Sequence, residues 1–455
     1  MQLKNVIESP CGLRYMLDQL ELQSGFARRW LLDSPMMTRD DDIAATYAVL
    51  HRFSEFVYRV EPLFINTLNN KLCGLKDIRT TIKNLYNHAV LDDIELFEVK
   101  HLAILATDVA RLLQQQDMAG VVEIPALDEV ISILDPDGMK IATFYIYDSY
   151  CVQLKDLRTH IRQHPEQQDD LLLMASELED GVRKDLSQQL HPFATAIEQA
   201  QLALARIDVN IAKARQIQQM GLTFPAISGT NEPSPCPTCY EGMFHPQVRE
   251  ALAQRGREFQ PVDITFGQRP TLITGANMGG KTVVLKTLAL CQLLFQFGFG
   301  IPAATARIAV KEEIYFCIGD EQSMEKGLSS FAAEMKNIDA VIKASREDKK
   351  LLALIDEPAR TTNPTEGAAL VTALLKVLAG GNMSLIMTTH YDIEPGDARC
   401  LRVKGFENGS MNYQLAEVRD GEVPHEALNI AQSLGIDSGW ITTARALIEA
   451  SNHHN

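Results

Sequence analysis

Residues 271–282 read Thr271-Leu-Ile-Thr-Gly275-Ala-Asn-Met-Gly-Gly280-Lys281-Thr282, a G-x-x-x-x-G-K-T pattern between a short apolar run and a long one. Such a stretch predicts a strand, a tight loop and a helix in succession. Gly275, Gly279 and Gly280 let the backbone curl without side-chain clashes, so that successive N–H groups point inward at a phosphate. Gly275, Ala276, Asn277, Met278, Gly279 and Gly280 are therefore candidate phosphate contacts. The helix that starts near Lys281 adds the positive end of its dipole. Lys281 is placed to reach the β- and γ-phosphates of a nucleotide, and Thr282 to ligate Mg²⁺ through its hydroxyl. The flanking strand and helix argue against a chance glycine-rich turn.

The remaining composition narrows the class. A chain of 455 residues suggests two to four domains, and 46% hydrophobic residues are ample for buried cores. The amino terminus shows no basic segment followed by an apolar one, so no export signal is expected. The most apolar helical stretch, 283–299, is interrupted by Gln292, Gln296 and Gly298, which predicts a core helix rather than a membrane span. Eight cysteines in so long a chain are no disulfide framework, and the expected location is a reducing cytoplasm. The net charge of −16 weighs against tight, non-specific DNA binding, which relies on Lys and Arg neutralising phosphates.

Residues 1 to about 120 are helical in pattern, with Leu17, Leu20, Phe26, Trp30 and Leu31 at near-helical spacing before Pro35. Asp40, Asp41 and Asp42 are placed to cap a second helix before Ile43. Asp135-Pro-Asp-Gly138 predicts a turn. Phe144-Tyr-Ile-Tyr147 fits either an edge strand or a helix start. Phe193, Ile197, Ala200, Leu204, Ile207, Ile211 and Ala214 alternate steps of four and three, the seam of a long helix packed on another. A loop rich in Gly, Pro, Ser, Thr and Asn, 221–237, marks a domain boundary near 230. It leads into Cys236-Pro-Thr-Cys239, which fits either half a zinc site or a redox pair. His245 is one further candidate ligand, short of the four that structural zinc takes.

Beyond the phosphate loop, 314–318, 351–355 and 384–388 are apolar, β-like runs separated by helical segments. That order predicts a mostly parallel sheet whose site gathers beyond the strands' carboxyl ends. Asp356 and Glu357 follow the second run, where Asp356 suits Mg²⁺ and Glu357 suits accepting a proton from an attacking water. His390 follows the third run and is a candidate contact to the γ-phosphate or that water. Gly327 and Ser329 precede a predicted helix and suit an anion-binding helix start.

Taken together, GANMGGKT at 275–282, G-x-S-S-F-x-x-E-M at 327–335, DEPARTTNPTEG at 356–367 and TTH at 388–390 resemble the ATPase domain of the MutS mismatch-repair proteins, relatives of the ABC ATPases. The resemblance extends to His245-Pro246, to 259–263, to 427–431 with 444–447, and to 25–35, which is similar to the start of the family's helical core. It implies a multidomain protein: an all-α helical core and lever over 1–230, with a shortened clamp near 151–190, and an α/β P-loop ATPase domain over 231–455. It further implies ATP and Mg²⁺ as ligands, and homodimers whose ATPase domains meet head to tail. In that arrangement Ser329 touches ATP on the other subunit, Asn277 helps place the attacking water, and Phe259 lies near the adenine. Pro358-Ala359 and Thr361-Thr362 stand where the family more often has a glycine-containing sequence, which changes the geometry expected of that loop.

The implied activity is ATP hydrolysis coupled to opening and closing of the dimer on a client. By resemblance the client is DNA. The helical core pattern begins near residue 13 with no mispair-reading domain before it. The clamp-like 151–190 holds five Lys and Arg against eight Asp and Glu, a net of −3. Both features predict weak DNA binding without mispair preference. The competing expectation is a protein client, as for MutS-related factors associated with reactivating adenosylcobalamin-dependent aminomutases. No membrane association is expected.

Overall fold

Leu351–Ile355 is a run of five apolar residues, each no more than 1% exposed, and a strand buried on both faces reads in this way. In the computed structural model it lies between two parallel neighbours. The structure describes residues 1–141, 143–163, 168–229, 237–275, 280–318, 327–380, 382–407, 410–418 and 436–452. By packing, these fall into two units. One comprises Met1–Gln19, Pro35–Tyr47 and Gln216–Asn455, and the other Leu20–Ser34 and Ala48–Arg215.

The first unit is built on two sheets. Its strands are β1 (Ala226–Ile227), β2 (Thr238–Met243), β3 (Val262–Phe266), β4 (Thr271–Thr274), β5 (Thr305–Ile308), β6 (Glu313–Cys317), β7 (Leu351–Ile355), β8 (Met383–Thr388), β9 (Arg399–Glu407) and β10 (Ser410–Glu417). The larger sheet runs β10-β9-β4-β8-β7-β6, parallel from β9 to β6, with β10 antiparallel at the edge. The smaller runs β1-β5-β2-β3. The three β-like runs expected after the phosphate loop are thus β6, β7 and β8, parallel as the alternation with helices predicts. The carboxyl ends of β4, β7 and β8 point to one edge.

The Lys281–Gln296 helix is buried on nearly every side, as an apolar helix of this length in a core must be. Its two glutamines are bonded within the protein through their amide nitrogens. Gln292 Nε2 donates to Gln296 Oε1 at 2.7 Å, and Gln296 Nε2 donates to the carbonyls of Lys311 and Met37 at 2.6 and 2.7 Å. Met37 N–H returns a bond to the Gln296 carbonyl, and the Tyr47 ring stacks on Phe295 with its hydroxyl donating to Phe299 O at 2.7 Å. These bonds draw 35–47 into the α/β unit, whereas a single sequence cut at 230 assigns that stretch to the helical part. Among the described residues no helix is long and apolar enough to cross a membrane.

The second unit is helical. Asp92 caps the Asp93–Gln114 helix, and Glu95 returns a bond to the Asp92 N–H, a capping box. The heptad seam falls on the Ala194–Met220 helix, where Ile197, Ala200, Leu204, Ile207, Ile211 and Ala214 are at most 2% exposed. In the first unit, Asp40, Asp41 and Asp42 lie inside the first turn of the Asp40–Arg59 helix rather than at its cap, where their negative charges complement the positive end of the helix dipole. Gly138 N–H closes the expected turn on the Asp135 carbonyl. Residues 144–147 form neither strand nor helix. Tyr147 is instead anchored by its side chain: Lys100 Nζ donates to its hydroxyl at 2.8 Å and to Asp135 Oδ1 at 3.0 Å, all buried. The segment 151–190 is a pair of helices, Val152–Gln163 and Gln168–Leu190.

Candidate functional site

β4 ends at Thr274, and the chain turns at Gly275 with φ +128°, a conformation open to glycine. It re-emerges at Gly280, φ +75°, the residue before the Lys281–Gln296 helix. A Cβ on Gly280 would sit 3.2 Å from the Tyr413 ring, so close approach adds to the backbone reason for glycine. Ala276, Asn277, Met278 and Gly279 lie outside the described residues. Lys281 is 3% exposed. Its ammonium donates to the Gly275 carbonyl at 2.5 Å and stands 3.4 Å from Glu357 Oε1.

Asp356 and Glu357 leave the end of β7, and the two neighbouring elements take hold of them at once. Thr282 Oγ1, in the first turn of the helix, donates to Asp356 Oδ2 at 2.8 Å. Thr388 Oγ1, the last residue of β8, donates to Asp356 Oδ1 at 2.6 Å and accepts the Glu357 N–H at 2.9 Å. One hydroxyl thus sets both acids. Thr388 appeared in the sequence only as part of a three-residue pattern; the usable signal was a hydroxyl at the end of a strand adjacent to that of the acids.

The turn that follows is unusual. Glu357 has φ +42° and Ala359 φ +61°, on either side of Pro358. Non-glycine residues are uncommon there, and the position explains why a glycine-containing sequence is the commoner solution. Ala359 is buried, and both its peptide groups are bonded. Its N–H donates to Glu334 Oε1 at 2.9 Å, and its carbonyl accepts the Tyr391 hydroxyl at 2.7 Å. Gly367 makes room for Tyr391, since a Cβ there would overlap the phenol. Arg360 reaches back to Glu357 Oε2 at 3.4 Å.

A cavity of about 340 Å³ opens beside Gly280, lined among others by Phe259, Gln260, Val283, Thr287 and Tyr413. It is within the size range of small-molecule pockets. Phe259 thus faces the same space as the start of the Lys281–Gln296 helix. Tyr413 was missed by sequence reasoning; its N–H is held by Gln260 Oε1 at 3.0 Å. His390 is exposed, its ring 4.1 Å from that of Tyr391. The Gly327–Ala344 helix begins where expected, but the Ser329 side chain lies outside the described part, as do 427–431 and Cys236.

Cys239 sits on β2 and accepts the Thr265 hydroxyl at 3.2 Å. His245 is 3% exposed, with Nε2 3.1 Å from the Cys11 carbonyl and its ring so close to Gly12 that a Cβ there would come within 2.6 Å. Burial, aided by the Lys286 charge, lowers its pKa to about 4. Among the described residues no cluster of three or more His, Cys, Asp or Glu could hold a metal ion.

The model of MutS domain V matches residues 271–418, from β4 past the end of β10. The protein named endonuclease MutS2 of Lactiplantibacillus plantarum is 34% identical over 289 residues, 60% of this chain and 34% of that protein. Its namesake in Caldicellulosiruptor bescii is 28% identical over 422 residues, 88% of this chain and 49% of that one. In Streptococcus pneumoniae the corresponding protein is 34% identical over 284 residues. The chain spans from about a third to about half the length of these curated relatives.

Proposed function

The chain belongs to the MutS family, and from that premise we propose that it is a dimeric ATPase that opens and closes on DNA without reading mispairs. The observation that carries the reading is the hydrogen-bonded chain Thr282–Asp356–Thr388–Glu357 beside Lys281, at the carboxyl ends of three parallel strands.

In this reading the loop 275–280, with Asn277, cradles the phosphates and Lys281 neutralises their oxygens. Thr282 and Asp356 offer a hydroxyl and a carboxylate, hard oxygen donors of the kind Mg²⁺ takes alongside water. Mg²⁺ held there would neutralise phosphate charge. Glu357 accepts a proton from the attacking water as its oxygen bonds the γ-phosphorus. The bond from that phosphorus to the oxygen retained by ADP breaks, and inorganic phosphate leaves. His390 and Asn277 orient the water or the γ-phosphate, and the base lies in the cavity faced by Phe259. Ser329 of one subunit completes the site of the other.

The DNA part rests on the family and on charge. Arg158 and Arg183, two of the five basic residues in 151–190, are engaged by Asp148 and Glu179 and by Asp93 and Asp180. Fewer cations are left to neutralise phosphates, so binding should be weak and salt-sensitive. The test is phosphate release by the full chain and by Glu357→Gln, with fluorescence anisotropy of matched and mispaired duplexes at two salt concentrations. Glu357→Gln should bind ATP and lose turnover by about 10²–10⁴-fold. Unchanged turnover would remove Glu357 from the reaction. A mispair preference above about tenfold, ~1.4 kcal/mol, would contradict the DNA reading.

A further inference from the structure

Ala359 adopts a left-handed backbone conformation that is strained for a residue with a Cβ, and Glu357 two residues earlier does the same. Such strain persists where the surroundings over-determine it. Here two elements do so. Tyr391, three residues after Thr388, holds the Ala359 carbonyl, and Glu334, on the Gly327–Ala344 helix, holds its N–H. Glu334 is half-buried; burial raises its carboxyl pKa, and the bond from Ala359 works against that rise. Its charge is also close enough to contribute, after burial, to raising both the Cys317 thiol and the Tyr391 phenol. The carboxylate is therefore lodged among β6, the turn and the segment after β8.

We propose that Glu334 is a positioning residue for Glu357: it keeps the Glu357-Pro358-Ala359 turn in its left-handed form and ties that turn to the helix beginning at Gly327. The role rests on the assignment of Glu357 to ATP hydrolysis made above. Ser329 lies five residues before Glu334 on the same helix, about 7.5 Å along its axis at 1.5 Å per residue. A shift at the start of this helix is thereby passed to the turn that carries Glu357. Alanine at 359, where glycine would need no support, makes the hold necessary.

The experiment compares full-length Glu334→Ala, Glu334→Gln, Tyr391→Phe and the double variants Glu334→Ala/Ala359→Gly and Tyr391→Phe/Ala359→Gly. It measures kcat, KM and the rate of tryptic cleavage after Arg360, which is exposed beside the turn. Glu334→Ala should lower kcat about tenfold with KM within about threefold, and speed the cleavage. Glu334→Gln keeps a carbonyl acceptor and should stay near the parent. Adding Ala359→Gly should recover part of the lost kcat. Tyr391→Phe removes the other hold and should give a smaller fall, also relieved by Ala359→Gly, which keeps the test decisive if Glu334→Ala does not fold. Unchanged kcat in folded Glu334→Ala overturns the proposal, as does a loss that Gln shares and glycine does not relieve. If the parent hydrolyses no ATP, the ATPase reading falls, and the cleavage rates alone decide whether Glu334 holds the turn.

Discussion

Lys100 in the helical unit and Lys281 in the α/β unit are both almost fully buried, and each faces a carboxylate, at 3.0 and 3.4 Å. Around Lys100 the partners close on one another. The ammonium donates to Asp135 and Tyr147, and the second Asp135 oxygen accepts the Lys140 N–H at 2.7 Å. Burial raises the Asp135 carboxyl, but the bonds from Lys140 and Lys100 outweigh it and leave the pKa below its ordinary value. Around Lys281 the partners sit at the end of β4 and in a strained turn, and Glu357 has a second cation, Arg360. Of these two buried charges, one has its partners at the end of a strand and in a strained turn, and the other has partners that close on one another. Where they close on one another they fasten the chain.

The sharpest way to break this contrast is to remove each lysine. Lys281→Met should weaken ATP binding by more than about 100-fold, ~2.7 kcal/mol, with a smaller loss of stability because Arg360 still faces Glu357. Lys100→Met should cost about 3–5 kcal/mol, since it strands a buried carboxylate, and should leave nucleotide affinity unchanged in the folded fraction. Urea unfolding and equilibrium nucleotide binding on both variants decide it; equal losses of stability would erase the distinction.

Thr388→Val sharpens it within the α/β unit. Losing one hydroxyl that serves both acids should cost about 1–3 kcal/mol, read mainly as a fall in kcat rather than in ATP affinity. A variant with parental kcat would show that Asp356 and Glu357 keep their places without the Thr388 hydroxyl, through Thr282, Lys281 and Arg360.

The smallest effect belongs to His245, a buried group of the α/β unit whose Nε2 lies 3.1 Å from the Cys11 carbonyl. Its folded pKa, about 4, lies below the ordinary 6.5, so the unfolded chain takes up more protons between those values. Stability from this group is full above about pH 6.5 and falls on acidification towards pH 4, with a slope of at most about 1.4 kcal/mol per pH unit. Urea midpoints across that range for the parent and His245→Gln should differ in slope; identical slopes would mean that His245 titrates alike in both states.

The sequence by itself determined the elements and the order of the chemistry. An apolar run ending in Asp356-Glu357, a glycine loop before Lys281 and a four-three seam from Ile197 to Ala214 each specify backbone geometry over a few residues. Periodicity encodes which face is buried, and strand ends collect polar groups. Tertiary structure alone decided who touches whom. Thr388 reaches Asp356 across 32 residues, Glu334 reaches Ala359 across 25, and Lys100 reaches Tyr147 across 47. Nor did the local pattern reveal that 144–147 would be held by a tyrosine hydroxyl instead of a ladder, or that 35–47 would bond to the Lys281–Gln296 helix. Such pairings follow from strand order and packing. These are set by the chain's longest-range contacts, and a contact between distant residues leaves no period in the residues that make it.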